Sequence, residues 1–312
     1  MHPSTFILIA VAAVAALAHG HPAANTPAAH FWEQALPGTP MPSAIADRVQ
    51  KGVDHSPLVE HYTASSPSIS ACTLFESTCS PQTMAETGIF FHEQQLRPGS
   101  TMTLSFLSEA DPAILPHDVA EKVPFTNLDD VLAAFNIPAG SAEAAQVRDT
   151  LSRCQAPPIA GEAKSCTTSL EATVQSAMRM LGVGDDDHAG GDVWAAASEL
   201  PAAGLPRQPY AVMAAAPVDG GRYVSCHTVP FPYAVYQCHI ARQGYRAYKV
   251  SLTGVHDGSV VAMLAFCHLD TAGWNTAHPA FEVLQTKPGG SPVCHFMSYG
   301  NLAFVKATGP TA

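Results

Sequence analysis

Charge is scarce in this 312-residue sequence. Charged side chains make up only 13% of it, with 15 basic residues against 26 acidic ones and a net charge of −11. Phosphate backbones are bound by Lys and Arg patches, so nucleic acid is excluded as a partner. No Gly-x-Ser-x-Gly elbow, His-Glu-x-x-His pair or P-loop occurs, which removes the hydrolase, zinc-peptidase and NTPase chemistries built on them. No Cys-x-x-Cys pair occurs either, so a thiolate-based structural zinc site is not expected. The chain has no Asn-x-Ser/Thr acceptor and no KDEL-like tail, so nothing argues for retention in the ER. Beyond the N-terminus no segment is apolar for long enough to span a bilayer.

The one long apolar run is FILIAVAAVAALA, residues 6–18. It has signal-peptide length, and Ala16-Leu17-Ala18 fits the small-x-small cleavage rule. Residues 1–18 are therefore expected to be a signal peptide, with secretion and no membrane contact after cleavage. Secretion changes how the eight cysteines read: in an oxidising compartment an even set forms disulfides. Spacing alone leaves 105 pairings open.

Residues 19–87 are rich in Pro, Ala, Ser and Thr and low in regular periodicity, and read as a leader. Prolines 37, 40 and 42 forbid a helix after Phe31-Trp32. Cys72 and Cys79 bracket a six-residue loop and are placed to pair locally. From residue 88 the chain reads as folded. Met102, Leu104 and Phe106 alternate with their neighbours as in a strand. Thr126-x-x-Asp129 caps an expected helix bearing Leu128, Val131, Leu132 and Phe135. Ser141 starts another, carrying Val147, Leu151 and Cys154. Thr168-x-x-Glu171 is a capping box for a third, which stops at Gly182. Cys154 and Cys166 flank the loop between the last two helices, where a disulfide would staple the pair. After about residue 190 the period becomes two. Tyr248, Val250 and Leu252 alternate along one strand, HDGS at 256–259 marks a turn, and VVAMLAFCH at 260–268 reads as a central strand. The expected class is α+β: short helices in the first half of the domain, then an antiparallel sheet or open barrel.

Cys is followed by His four times, at 226–227, 238–239, 267–268 and 294–295. Chance would supply only about 0.4 such dipeptides from 8 Cys and 15 His in this length. Neighbouring side chains on a strand point to opposite faces. Cys226, Cys238, Cys267 and Cys294 are thus expected to form disulfides on one side, while His227, His239, His268 and His295 gather on the other. A cluster of imidazoles with no thiolate suits copper.

The CH-x₁₀-CH-x₂₇-CH-x₂₅-CH spacing resembles the signature of the plant BURP domain. GIFFHEQQLRPGSTM resembles that domain's opening segment, CQAPPIAGEAKSCTTSLEAT its paired-cysteine block, and PYAVYQCH its second CH block. FWEQALPGTPMP resembles the short segment that precedes the domain in many members. The likeness covers residues 88–306. Phe304 departs from it, standing where the family often has Trp. The resemblance implies a secreted plant protein of the apoplast or cell wall, or of an extracellular or vacuolar compartment of seed and anther, linked to development or stress response. Some relatives are copper-dependent peptide cyclases whose CH-motif histidines bind the metal. Carried over, the copper ligands are His227, His239, His268 and His295. Tyr233 and Tyr236, beside the second motif, are the candidate catalytic residues. The leader holds no repeated aromatic core, so a substrate would act in trans. Two readings stay open: an oxidative enzyme that crosslinks a peptide, and a non-catalytic extracellular protein that binds a peptide or cell-wall component and uses its CH motifs as structural elements. Neither defines an oligomeric state.

Overall fold

The computed structural model describes residues 21–54, 81–107, 112–159, 161–184, 193–241 and 244–307. The expected signal peptide, Cys72 and Cys79 lie outside them. No helix among the described residues is long and apolar enough to cross a membrane.

In chain order the helices are α1 (Pro27–Ala35), α2 (Ser43–Asp54), α3 (Pro81–Thr87), α4 (His117–Ala120), α5 (Leu128–Ala134), α6 (Ala142–Gln155), α7 (Leu170–Leu181) and α8 (Pro279–Val283). The strands are β1 (Phe90–Phe91), β2 (Thr101–Leu107), β3 (Glu162–Thr167), β4 (Val193–Ala196), β5 (Gly204–Pro217), β6 (Arg222–Val229), β7 (Val235–Ala241), β8 (Tyr245–Gly254), β9 (Val260–His268), β10 (Val293–Phe296) and β11 (Leu302–Lys306). They form two antiparallel sheets, a six-stranded one in the order β1-β10-β9-β8-β5-β2 and a five-stranded one in the order β3-β7-β6-β11-β4. The α+β class holds, with helices mostly before residue 190 and the CH motifs on β6, β7, β9 and β10.

The local causes of these elements are visible in the residues. Ser141 caps α6 by accepting a hydrogen bond from the Ala144 N–H. Gly182 ends α7 in the left-handed conformation that only glycine adopts without strain. Two caps lie one residue downstream of their expected positions. Asn127, not Thr126, caps α5, and Ser169, not Thr168, caps α7. In each case the nearer side-chain oxygen reaches the N3 amide.

The described residues before 88, at 21–54 and 81–87, are packed. Thr26 caps α1 with Pro27 at its first position. Prolines 37, 40 and 42 occupy the break between α1 and α2. Ala28, Trp32, Ile45 and Val49 join Leu170, Val174 and Ala177 of α7 in a core that rests on Cys226, Cys238 and Phe304 of the five-stranded sheet. Trp32 sits 6.4 Å from the Phe304 ring and donates its N–H to the Thr39 carbonyl. Fully burying such a ring contributes on the order of 2–3 kcal/mol. A separate core covers the outer face of the six-stranded sheet with Met84, Phe91, Met263, Cys267, Phe281 and Cys294. A smaller group fills the space between the sheets: Ala247, Leu264 and Phe266 from one, Ala303 and Tyr223 from the other.

Candidate functional site: a four-imidazole cluster between two sheets

Strand register explains the repeated dipeptide. Cys226 stands directly opposite Cys238, and Cys267 directly opposite Cys294. Both pairs are bonded, as is Cys154–Cys166. Each of the two strand disulfides lies in the core on its sheet's outer face. The next residue on every strand points the other way, into the space between the sheets. In an antiparallel pair whose cysteines are opposed, the two following histidines lie diagonally across the rung, so two paired CH motifs deliver two neighbouring imidazoles. One disulfide thus serves each half of the cluster.

The halves meet. His227 and His239 of the five-stranded sheet are stacked with ring centres 5.4 Å apart, and His268 and His295 of the six-stranded sheet are stacked at 5.3 Å. Across the gap His227 is 5.7 Å from His295, and His239 is 6.3 Å from His268. The four rings form a closed circuit, and each is at most 8% exposed. Burial, reinforced by neighbouring imidazoles, pushes the pKa values of His227 and His268 far below the usual histidine range. Burial brings His295 down to about 4, against a partly offsetting hydrogen bond to the Phe296 carbonyl. These three rings are neutral at ordinary pH, the state in which imidazole has a lone pair to give.

The polar atoms of the cluster are poorly served by the protein. Nε2 of His268 and Nε2 of His295 are 3.2 Å apart and face each other. Nε2 of His227, Nε2 of His239 and Oε1 of Gln237, the register partner of His227, are buried with no hydrogen-bond partner among the described residues. Such atoms cost stability unless something else satisfies them. In this side-chain arrangement no group of three or more His, Cys, Asp or Glu among the described residues is set to hold a metal ion.

Other residues touch the imidazoles. Tyr245, the register partner of His268, has its ring 4.4 Å from that imidazole and its hydroxyl 3.4 Å from His239 Nδ1. Glu162 on β3 places a carboxylate oxygen 3.8 Å from the same Nδ1. Burial and this carboxylate raise the Tyr245 pKa well above its usual value. Trp274 lies 4.7 Å from both His268 and His278. Asn301 reaches His227 Nδ1 at 3.4 Å. No local motif marks these residues. Tyr245 becomes visible only once β8 is laid beside β9, and Asn301 only once β11 is laid beside β6.

Tyr233 and Tyr236 are not brought to the cluster. Tyr233 packs with Val131, Phe135 and Phe231 and reaches the Pro124 carbonyl. Tyr236 shares the Cys238 face, and its hydroxyl donates to the Gly300 carbonyl. The period of two that sends His239 inward sends Tyr236 outward. The aromatic hydroxyl at the imidazoles is that of Tyr245. A surface groove of about 450 Å³ lies near β1, bounded by Phe90, His92, Thr101, Met102 and Gln285, and none of the four imidazoles lines it.

The same framework recurs in known proteins. The BURP domain family profile matches residues 89–306. BURP domain-containing protein 13 of rice is 44% identical over 231 residues, covering 72% of this chain and 54% of that protein. Protein RAFTIN 1A of wheat is 43% identical over 225 residues, covering 70% of this chain and 56% of its own length. The chain thus spans little more than half of these two relatives. BURP domain-containing protein 2 of rice is matched almost end to end, at 36% identity over 96% of this chain and 97% of that protein. With the profile spanning the paired-cysteine block and all four CH motifs, the chain belongs to the plant BURP-domain family.

Proposed function

We propose that the imidazole cluster of His227, His239, His268 and His295 holds copper, and that the chain is a secreted oxidative crosslinking protein acting on a peptide supplied in trans. The observation that carries this reading is the convergence of four buried imidazoles whose Nε2 atoms have, among the described residues, no partner beyond one another. Nitrogen donors shielded from water and from thiolates suit copper. Bound copper would supply one-electron chemistry with dioxygen as the oxidant. The balance is simple: the peptide loses two hydrogens as one new bond forms, and dioxygen takes up both electrons and both protons. The chain's own contribution is to keep the imidazoles dry and to hold Tyr245 and Trp274 against His268.

A second reading is favoured by the burial itself. None of the imidazoles lines the groove, and each strand disulfide already accounts structurally for its pair of CH motifs. The chain would then be a non-catalytic extracellular or cell-wall protein of development or stress response. One experiment separates the two. Copper per chain is measured on the purified protein and on His239→Ala and His268→Ala. Aromatic peptides are then offered with oxygen and weighed. Copper in the wild type only, with a two-hydrogen mass loss in the peptide, supports the enzyme. Copper without turnover supports binding alone, and no copper at all ends the metal reading.

A further inference from the structure

The six-stranded sheet ends in β1 on one side and β2 on the other. Register fixes where the backbone groups of these edge strands point. In an antiparallel ladder, successive residue pairs alternate between hydrogen-bonded and non-bonded. The Phe296 N–H donates to the Ile89 carbonyl at 3.2 Å, and the next pair along is Phe90 with His295. The N–H and C=O of Phe90 therefore face away from β10. On β2 the same alternation applies. The Val212 N–H donates to the Ser100 carbonyl at 2.8 Å, and Thr101 and Thr103 stand opposite Ala211 and Pro209. Pro209 has no N–H to give, and its carbonyl accepts from the Val255 N–H at 2.9 Å, just past β8. Thr101 and Thr103 thus also turn their backbone groups away from their own sheet. Among the described residues no hydrogen bond takes the N–H of Phe90, Thr101 or Thr103.

The two edges face one groove. They touch where Gly88 passes β2, since a Cβ there would collide with the Thr103 carbonyl oxygen. Beyond that point they part. The groove of about 450 Å³ lies between Phe90 and Phe91 on one side and Thr101, Met102 and Thr103 on the other, a volume usual for a ligand site. None of the described residues that line it is Asp, Glu, Lys or Arg. Thr101 and Thr103 are exposed, while Met102 between them is buried. The opening therefore offers backbone donors and acceptors at two-residue spacing, apolar side chains below them, and no carboxylate, ammonium or guanidinium.

We propose that this groove binds an extended, uncharged peptide segment of another chain as an added strand against β2. Charge and backbone both select that occupant. A charged segment would find no opposite charge in the lining. A helix spends its N–H and C=O groups on itself and leaves the edge unsatisfied. An extended backbone has the complementary groups at the same spacing, and an open edge is a template for it. Bonds to Thr101 and Thr103 then supply affinity, and alternate side chains of the segment fall on Met102 and Leu284. Only the peptide partner is taken from the reading above. No copper is needed and none of the four imidazoles lines the groove, so the copper reading and this site can fail separately.

The test uses the full chain without metal, with acetyl-Thr-Val-Thr-Val-Thr-amide as the probe. Amide hydrogen exchange is followed by NMR. In the free protein the Thr101 and Thr103 amides should exchange fast and the Met102 amide slowly. Saturating probe should slow Thr101 and Thr103 by about tenfold or more. A probe N-methylated on its Thr residues cannot bond β2 in an antiparallel alignment, and one methylated on its Val residues cannot do so in a parallel one. At least one of the two should leave the exchange unchanged. Thr103→Pro, a change tolerated at an edge, should weaken binding about three- to tenfold through the lost N–H. If that variant does not fold, exchange in the wild type still decides. The proposal is overturned if the probe at about 1 mM leaves both amides unchanged, or if both methylated probes act like the parent. It is also overturned if both amides are already slow in the free protein. Slow exchange at every dilution would mean that the chain's own residues fill the groove, and slow exchange only when concentrated would mean that a second copy does.

Discussion

Arg48 is fully buried, yet it comes from the segment before the domain. Its guanidinium donates to Tyr236 Oη at 3.4 Å and to the Gly300 carbonyl at 3.3 Å, and lies 5.6 Å from the Tyr299 ring centre. Gly300 has a φ of +74°, and a Cβ there would fall 2.3 Å from Arg48 Cζ. Gly300→Ala therefore combines a left-handed backbone with a clash against a packed cation. It is expected to cost about 2–3 kcal/mol, read as a lowered urea midpoint with unchanged slope. Glu93 makes a different residue-scale case. Burial pushes its carboxyl up, but hydrogen bonds from Tyr248 and Arg246 and the guanidinium charge outweigh that, and the net shift is below the ordinary value of 4.5. A depressed carboxyl stabilises the fold above its unfolded pKa and loses that contribution as pH falls through the folded one. Glu93→Gln should thus lower the urea midpoint at pH 7, and the gap from wild type should narrow steadily below about pH 4.5. A gap that is constant down to pH 3 would show that the Glu93 contribution is not electrostatic. Because Arg246 and Glu93 are partly exposed, added salt should shrink the effect as well.

At the scale of elements, what could be read beforehand depended on whether the signal was local. Ser141 and Gly182 act within one turn, so the ends of α6 and α7 were legible. Alternation at 247–252 and the apolar run at 260–268 located β8 and β9, because a strand's faces follow from its own residues. That four cysteines would leave four histidines on the other face was legible for the same reason. Which cysteine meets which was not. Pairing depends on register between strands, and the 27-residue separation of Cys267 and Cys294 says nothing of it. α1 and α2 were missed because prolines 37, 40 and 42 dominate the reading, although they fall between the helices. Tyr245 was missed in favour of Tyr233 and Tyr236, since nearness in sequence to a motif says little about which face a side chain takes. The disulfides carry a prediction of their own. Replacing Cys267 and Cys294 by Ser opens the longer loop and should cost roughly 3–4 kcal/mol, against roughly 3 for Cys226 and Cys238. Urea unfolding of the two double variants without reductant checks the order. On the copper reading proposed above, each variant should also blunt copper uptake, because each disulfide fixes the strand pair that presents two of the imidazoles.

For the whole molecule, the arrangement of layers decides what the site depends on. The imidazoles lie between the sheets, and the outer face of the five-stranded sheet is covered by α7 together with α1 and α2. The family match begins at residue 89, but the packed unit begins near residue 22. Trp32 of α1 packs against Phe304 of β11 in the same core, with the two ring centres 6.4 Å apart. Phe304 pairs with Val224, and Leu302 pairs with Cys226, the residue before His227. A defect over Phe304 therefore loosens the strands that carry half of the cluster. Trp32→Ala should cost about 3–5 kcal/mol, as deletion of a fully buried indole does. It should also release the His227–Asn301 contact before the six-stranded sheet opens. Hydrogen exchange can follow this directly. In the variant, amides of β6 and β11 should lose protection while those of β8 and β9 keep theirs. Equal loss in both sheets would mean that the two unfold as one unit, and that the segment before the domain stabilises the protein as a whole and not one half of its site.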